Sequence, residues 1–358
     1  MKIPILNIYY LLCYAWNKLD ESEIVDVSAE DSTSLLNLFA RVLVSGTNHV
    51  LKRGLDRGYI NRSETIRGIK GKVNFNITLK RQLLANATVR CEFDELSYNI
   101  LHNQILKTTI RELAQSHDIE KNWRNELISL SRTLWEIEEV SLSPAIFSRV
   151  QLHKNNAFYG FLINICEMIY FYYLVSEDPG EEKFRDFLRD EIKMRKLFEE
   201  FVRNFYKIEL AGRYPVYTVK GSEYIYWDVK ETDGDDVNLL PVMKTDISIR
   251  TPTTYIIIDT KYSKESLQSY HKETVKSKDL YQLFAYLKNI EKRGGEFINC
   301  EGILLYPTVD QDLDLKYEIQ GHKISVRTID LSKDWRKIHN DLMLIVGEET
   351  SSQQIVAA

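Results

Sequence analysis

Cysteine is scarce in this chain of 358 residues, and the few cysteines are scattered. Cys13, Cys91, Cys166 and Cys300 form no C-x-x-C pair and no Cys/His cluster. Zinc motifs and disulfide frameworks both depend on such spacings. The sequence therefore predicts neither, and its cysteine usage leads us to expect a location in the reducing cytoplasm.

The chain also lacks an excess of positive charge. Lysine and arginine total 47 against 52 aspartates and glutamates, which gives a formal net charge of −5. A protein that grips DNA with its whole surface needs many unpaired cations. Any contact with DNA is therefore expected from a local basic groove or through a partner.

Long apolar runs are rare as well. The first 20 residues are interrupted by Asn7 and several aromatic residues, and no small-residue cleavage site follows, so we do not expect a signal peptide. The longest apolar stretch, Phe158–Val175, contains Asn164 and Glu167. Polar residues at these positions favour a buried helix over a membrane span.

The periodicity of apolar residues predicts an α/β (α+β) protein with two domains and a short tail. Residues 1–178 are predicted to form a mainly helical, mixed domain, and residues 179–349 a mixed β-sheet flanked by helices. The boundary is expected at Ser176–Gly180, where acids, proline and glycine cluster. Residues 350–358 are predicted to be a flexible tail.

One stretch of the second domain, Lys244–Tyr262, is predicted to form a β-hairpin. Pro252 interrupts it with turn chemistry, and the second strand carries Tyr255 followed by three isoleucines. A strand that is apolar on both faces is typical of the centre of a sheet. The residues that come directly after it, Asp259-Thr-Lys261, are costly to place there unless they are paired or bind a ligand.

Pairing the strands about the Pro252–Thr253 bond places Asp246 opposite Asp259. Directly opposed residues have Cβ atoms about 5 Å apart, where like charges repel unless a cation lies between them. The two carboxylates and the backbone carbonyl of Thr260 are oxygen ligands of the kind that Mg²⁺ prefers. Lys261 is expected on the same face as Asp259, where it would orient a metal-activated water.

A helix after the hairpin, from about Lys276 to Asn289, is predicted to carry two further site residues. Its apolar stripe is flanked by Gln282 and Tyr286, which lie four residues apart and therefore project from one side. From these residues alone, two readings stay open. One is a metal-dependent nuclease site, and the other is a salt-bridged hairpin whose glutamine and tyrosine are satisfied in the core.

A family resemblance favours the nuclease. The pattern Asp246…Asp259-x-Lys261…Gln282-x-x-x-Tyr286 resembles the RecB-like branch of the PD-(D/E)xK nuclease superfamily. The chain as a whole is similar to the McrC family, the nuclease subunits of McrBC-type, 5-methylcytosine-specific restriction systems. The segments that carry this similarity follow one another along the chain: Asn7–Trp16, Gly68–Gly71, Asp94–Ser97 with Asn99, Asn103, Leu106 and Lys107, and Asn238–Arg250.

This resemblance implies a Mg²⁺-dependent DNA endonuclease that acts with, and stimulates, a McrB-like AAA+ GTPase ring. It implies double-stranded DNA with modified cytosine as substrate, and a docking role for residues 1–178. The chain has no G-x-x-x-x-G-K-[ST] motif, so such a motor would have to be a separate protein. The alternatives are a stand-alone RecB-like nuclease and a non-catalytic activator of a GTPase ring.

Two further features are open to a functional or a structural interpretation. Many RecB-like nucleases carry a metal-binding glutamate on a helix before the hairpin; Glu199 matches that pattern or is an exposed acid. The segment between the hairpin and the next helix provides a path for a DNA backbone or is a solvated charged loop. Its polar residues are Lys264, Tyr270, His271, Lys272, Lys276 and Lys278.

Overall fold

The computed structural model describes residues 3–19, 34–153, 156–174, 190–213, 217–229, 236–251, 254–263, 267–269, 273–308 and 311–347. Its α-helices are α1 (Ile5–Ala15), α2 (Leu35–Arg53), α3 (Phe75–Lys80), α4 (Leu101–Gln115), α5 (Lys121–Thr133), α6 (Pro144–Ser148), α7 (Ala157–Ile169), α8 (Glu191–Glu209), α9 (Ser277–Ile290) and α10 (Trp335–Ile345). Its strands are β1 (Gly58–Ile66), β2 (Lys72–Val73), β3 (Val89–Ser97), β4 (Thr218–Gly221), β5 (Tyr224–Ile225), β6 (Met243–Lys244), β7 (Ile247–Arg250), β8 (Tyr255–Thr260), β9 (Leu267–Ser269), β10 (Glu273–Val275), β11 (Glu301–Pro307), β12 (Asp314–Ile319) and β13 (His322–Ile329).

The chain folds into two compact units. The terminal unit comprises residues 1–22 and 185–358, and the central unit comprises residues 23–184. The predicted division placed residues 1–22 with the rest of 1–178, whereas the compact units group them with residues 185–358. The expected boundary at Ser176–Gly180 and the tail 350–358 lie outside the described residues.

Helix α1 belongs to the terminal unit because its polar and aromatic side chains are satisfied there. The side-chain amide of Asn7 donates hydrogen bonds to the carbonyls of Leu331 and Lys333, both at 2.8 Å. The ring of Tyr10 stacks on Trp335 at a centroid distance of 4.9 Å. The buried apolar residues of α1 also pack against α8. These are contacts across most of the sequence, which local patterns do not reveal.

The central unit combines helices with a small antiparallel sheet in the order β1-β3-β2. Helix α2 is capped by Ser34, whose hydroxyl accepts a hydrogen bond from the Asn37 N–H at 3.2 Å. Gly46 allows α2 and α7 to approach closely, because an added Cβ there would lie 2.5 Å from Cδ2 of Leu162. Helix packing at this point therefore requires glycine.

Within the described residues, one helical stretch, Ala157–Leu174, is long and apolar enough to cross a membrane. In the structure it comprises α7 and a following π-helical turn, and α7 packs against α2 and α4. Phe161, Leu162, Ile165 and Cys166 of α7 are fully or almost fully buried in that packing. A buried core helix can be as long and as apolar as a membrane span. The packing of α7 agrees with the buried helix that the sequence predicts.

The terminal unit is built on a mixed six-stranded sheet in the order β12-β13-β11-β8-β7-β4. β11 pairs in parallel with both β13 and β8, and the remaining pairs are antiparallel. Helix α9 packs against β8 and β11, and α8 packs against β4 and β8. The predicted mixed sheet flanked by helices is thus confirmed, with β8 as one of its central strands.

Candidate active site

The candidate site lies at the end of β8, the strand predicted to be central. All six residues of β8 are buried, and the side chain of Asp259 has no exposed surface. The isoleucines before it are buried because β8 lies between two strands and both α8 and α9 pack against it. A carboxylate at the end of so apolar a strand is costly unless another group stabilises it.

The register of β7 and β8 is the one predicted by the mirror pairing. Ile247 lies opposite Ile258 and Ser248 opposite Ile257, so the next position outward places Asp246 across from Asp259. Pro252 and Thr253, the predicted turn, lie outside the described residues. Equal numbers of residues on either side of the turn are what bring the two acids to one end of the hairpin.

Asp246 itself lies in a bend one residue before β7, so the strict alternation of side chains does not extend to it. Its Oδ2 accepts hydrogen bonds from the backbone N–H of Thr260 at 2.8 Å and from the Thr260 hydroxyl at 2.9 Å. Asp246 therefore contacts Thr260 through the N–H and the hydroxyl of the threonine. A role for its carbonyl oxygen as a metal ligand stays a prediction.

Lys261 joins the hairpin to the helix that follows it. Its Nζ lies 2.7 Å from Oδ2 of Asp259 and donates a hydrogen bond to Oε1 of Gln282 at 3.1 Å. Only 18% of the lysine side chain is exposed. The ammonium group is thus held between an acid of β8 and an amide of α9, and this amide, that of Gln282, follows the lysine by 21 residues in the sequence.

Gln282 and Tyr286 continue this chain of hydrogen bonds. Nε2 of Gln282 donates to the hydroxyl of Tyr286 at 2.6 Å, and that hydroxyl donates to the carbonyl of Lys244 at 3.0 Å. The spacing of four residues on α9 places both side chains on one side of the helix, as predicted. The network therefore connects the strand before Asp246 to the lysine beside Asp259.

The electrostatics of the pair depend on burial. Burial raises the pKa of the Asp259 carboxyl to about 7, with the charge of Lys261 lowering it and that of Asp246 raising it. Burial alone would lower the pKa of Lys261, but the charges of Asp259, Asp279 and Asp246 raise it above its usual value. The lysine therefore stays charged, and Asp259 needs a nearby cation to be stable as a carboxylate.

Glu199 lies within electrostatic reach of Asp246. It projects from α8 with 31% of its side chain exposed, and its Oε1 lies 3.3 Å from Nη1 of Arg203. Burial raises the pKa of Glu199, and the charge of Asp246 raises it further. Glu199 is therefore a half-buried acid whose carboxyl is affected by the charge of Asp246, while its role as a metal ligand stays a prediction.

Asp279 is an acid that the sequence did not single out. It lies in the first turn of α9, and its Oδ2 accepts a hydrogen bond of 2.7 Å from the hydroxyl of Tyr306, a buried residue of β11. Its charge raises the pKa of both Asp259 and Lys261. The signal available in the sequence was its spacing of three residues before Gln282, which places both on neighbouring positions of one helix.

The residues present fit a hard, oxygen-binding metal ion. Oδ1 of Asp259 is buried and has no hydrogen-bond partner among the described residues. Carboxylate oxygens of this kind are what Mg²⁺ prefers, and a buried acceptor without a donor is stabilised by a cation. Among the described residues, no three His, Cys, Asp or Glu side chains already form a closed metal cluster. Asp246 and Asp259 are turned toward Thr260 and Lys261 instead.

The segment before α9, which the sequence left open as a path for a DNA backbone or a solvated charged loop, contains two short strands within the described residues. Leu267–Ser269 and Glu273–Val275 pair as the antiparallel strands β9 and β10. Lys276 donates a hydrogen bond to the hydroxyl of Ser263 at 2.8 Å, and Lys278 is exposed. The other polar residues singled out there, Lys264, Tyr270, His271 and Lys272, lie outside the described residues.

Comparisons with known proteins identify the family. The model of the family described as "McrBC 5-methylcytosine restriction system component" matches residues 7–307. An Escherichia coli K12 protein, "Type IV methyl-directed restriction enzyme EcoKMcrBC", is 34% identical over 348 residues, covering 97% of this chain and 98% of that protein. The chain belongs to the McrC family. The resemblance drawn from the sequence motifs is confirmed.

The McrC fold is supported by a solved structure. A complex of Thermococcus gammatolerans McrB AAA+ hexamers with bound McrC contains a chain that this protein matches with a TM-score of 0.59. The match covers 96% of this chain and 75% of that chain at 17% sequence identity. At that identity the likeness shows that the fold is shared, across both units of this McrC family member.

Proposed function

We propose that this chain is the DNA-cleaving subunit of a McrBC-type restriction system and that it hydrolyses phosphodiester bonds in double-stranded DNA carrying modified cytosine. Family membership makes it a component of such a system, and its Escherichia coli relative is named a restriction enzyme. The single observation that carries the cleavage role is the buried Asp259, with Lys261 at 2.7 Å and Asp246 next in register.

The proposed metal ion is Mg²⁺. Asp246, Asp259, the Thr260 carbonyl and Glu199 are the oxygen donors that would hold it. When bound, Mg²⁺ lowers the pKa of a coordinated water and stabilises charge on a phosphoryl oxygen. Two observations support this donor set. Oδ1 of Asp259 is buried without a hydrogen-bond partner among the described residues, and the charge of Asp246 acts on Glu199.

Lys261 has the proposed task of orienting the attacking water and of stabilising negative charge that develops on the phosphate. Its ammonium is held by Asp259 and Gln282 rather than by solvent, so little reorganisation is needed during the reaction. Gln282 and Tyr286 fix its position through the hydrogen bond to the Lys244 carbonyl. In this account the two residues of α9 support the site, and Lys261 acts in it.

The proposed partner is a McrB-like AAA+ GTPase ring. The related Thermococcus complex contains McrB AAA+ hexamers with bound McrC, and this chain has no P-loop motif of its own. We assign docking to residues 23–178, the part of the predicted N-terminal domain that lies in the central unit. Lys276 and Lys278, in and just before the first turn of α9, are candidate contacts to the DNA backbone. The complex is expected to act in the cytoplasm.

Reconstitution with the cognate GTPase tests this function. The purified chain and GTPase are incubated with methylated or unmethylated DNA, with and without GTP and Mg²⁺, and both GTP turnover and DNA cleavage are measured. We expect faster turnover and cleavage that requires methylated DNA, GTP and Mg²⁺ together. Cleavage without the GTPase would favour a stand-alone nuclease. Faster turnover with no cleavage under any condition would favour a non-catalytic activator.

A further inference from the structure

Glu199 is held by an arginine of its own helix. Arg203 follows it by four residues on α8, and the two side chains form an ion pair of 3.3 Å between Nη1 and Oε1. Only 19% of the Arg203 side chain is exposed, which is low for an arginine on a helix surface. Both residues therefore project toward the protein rather than into solvent.

Arg203 is partly buried because it crosses strand β4. A Cβ built at Gly221 would lie 2.2 Å from Cδ, 3.2 Å from Nε and 3.3 Å from Cγ of Arg203. The arginine side chain thus passes directly over the Cα of Gly221. Real Cβ atoms do not approach other atoms so closely, so any residue but glycine at 221 would displace the arginine.

Gly221 occupies the end of β4 nearest to the candidate site. It pairs with Ile247, the residue directly after Asp246, and the next residue, Ser222, donates its N–H to the Asp246 carbonyl at 3.3 Å. The arginine that lies over Gly221 is therefore positioned beside the strand that presents Asp246. The same arginine forms an ion pair with Glu199, a residue within electrostatic reach of Asp246.

We infer that Arg203 is a positioning residue that holds Glu199 toward Asp246 as a metal ligand. Gly221 is required at its position because the arginine side chain packs directly against its Cα. The inference rests on the proposed nuclease function and extends it to two residues that have no contact with the metal. Removing a group that hydrogen-bonds to a metal ligand and orients it typically lowers metal affinity about 10- to 100-fold.

The close approach of Arg203 to Gly221 allows the arginine side chain to be displaced by a substitution at position 221. Gly221→Ala leaves every ligand in place but pushes the arginine aside. If Gly221→Ala acts only by displacing Arg203, it should not lower metal affinity any further in a chain that already carries Arg203→Ala. Gly221→Ala, Arg203→Ala and the double variant therefore form a cycle in which the two single effects must not add.

The experiment measures binding of Mn²⁺, as a substitute for Mg²⁺, to the full-length chain by the electron paramagnetic resonance of the free ion. Cleavage is not needed for this readout. Thr218→Ala, an exposed position of the same strand, and Arg195→Ala, an exposed arginine of α8, are the matched controls. Thermal unfolding without metal checks that each variant is folded. Asp259→Ala reports whether the bound ion is at the proposed site.

We expect Arg203→Ala and Gly221→Ala each to weaken Mn²⁺ binding about tenfold, the double variant to match either single one, and the controls to bind as the wild type does. Wild-type affinity in Arg203→Ala or in Gly221→Ala would overturn the positioning role, and additive losses would overturn the steric link between the two residues. Failure of the wild type to bind Mn²⁺, or unchanged binding by Asp259→Ala, would instead overturn the proposed metal site itself.

Discussion

Lys261 and Asp259 form an ion pair of 2.7 Å at the end of a strand in which the aspartate is completely buried. Lys261 lies just beyond the end of β8 and two residues after Asp259, so the two side chains project from the same face. The pair gives the acid a cation and gives the cation a fixed position. Each therefore depends on the other.

Removal of Lys261 is expected to abolish most of the cleavage and to change its pH dependence. Lys261→Ala leaves Asp259 buried without its cation, so the pKa of this carboxyl rises above its value of about 7 in the wild type. Cleavage by the reconstituted complex should fall about 100- to 1,000-fold, and the residual activity should need a more alkaline pH. Lys196→Ala, an exposed lysine of α8, is the control. Normal cleavage by Lys261→Ala would contradict the assignment.

Tyr286→Phe is expected to impair cleavage mildly. The change removes the hydroxyl that accepts from Gln282 and donates to the Lys244 carbonyl, so the glutamine that holds Lys261 loses its own partner. Loss of such a hydrogen bond is worth about 1 kcal/mol, or about fivefold in kcat/KM. Tyr281→Phe, at a position on the same helix that is 70% exposed, should have no effect. Equal effects of the two changes would show that the network does not support the site.

Glu199 and Glu200 are neighbours with different expected roles. Glu199 pairs with Arg203, and the charge of Asp246 raises the pKa of the Glu199 carboxyl. Glu199→Gln should raise the Mg²⁺ concentration required for half-maximal cleavage at least tenfold, and Glu200→Gln should leave it unchanged. A titration of cleavage rate against Mg²⁺ distinguishes them. The same requirement in both variants would remove Glu199 from the ligand set.

Acid is expected to destabilise the terminal unit through Glu209. Burial alone would raise the pKa of this carboxyl, but hydrogen bonds from His339 and Tyr14 outweigh it and lower the pKa below its usual value. A lowered pKa contributes stability above about pH 4.3, the value in the unfolded chain, and this contribution is lost as the pH falls through the folded value.

The acid effect is measured by denaturant unfolding between pH 3 and pH 7. Glu209→Gln should lose about 1–2 kcal/mol of unfolding free energy at pH 7 and show a flatter decline toward acid than the wild type. Glu318→Gln, at an exposed position of β12, is the control. A decline as steep in Glu209→Gln as in the wild type would show that other groups govern acid unfolding.

Local spacing was sufficient to predict the core of the site. The mirror pairing about the turn gave the register of β7 and β8, and the alternation of a strand placed Lys261 beside Asp259. The helical period placed Gln282 and Tyr286 together on α9. These relations depend on the geometry of one hairpin and one helix, which a short stretch of sequence determines.

Relations between distant segments could not be predicted in the same way. The contact of Asn7 with the carbonyl of Leu331 spans 324 residues, and no local pattern indicates it. The carboxylate of Asp279 accepts a hydrogen bond from Tyr306, which lies on β11, 27 residues further along the chain. The bend that turns Asp246 toward Thr260 also lies outside the regular strand, where alternation no longer applies.

The most direct test of the account is a crystal structure of the chain with Mn²⁺, in which anomalous scattering locates the ion. The account predicts a Mn²⁺ peak within coordination distance of carboxylate oxygens of both Asp246 and Asp259, with Lys261 still beside Asp259. A peak at any other place, or an ion bound by only one of the two aspartates, would contradict the claim that the two strands converge on a shared divalent metal.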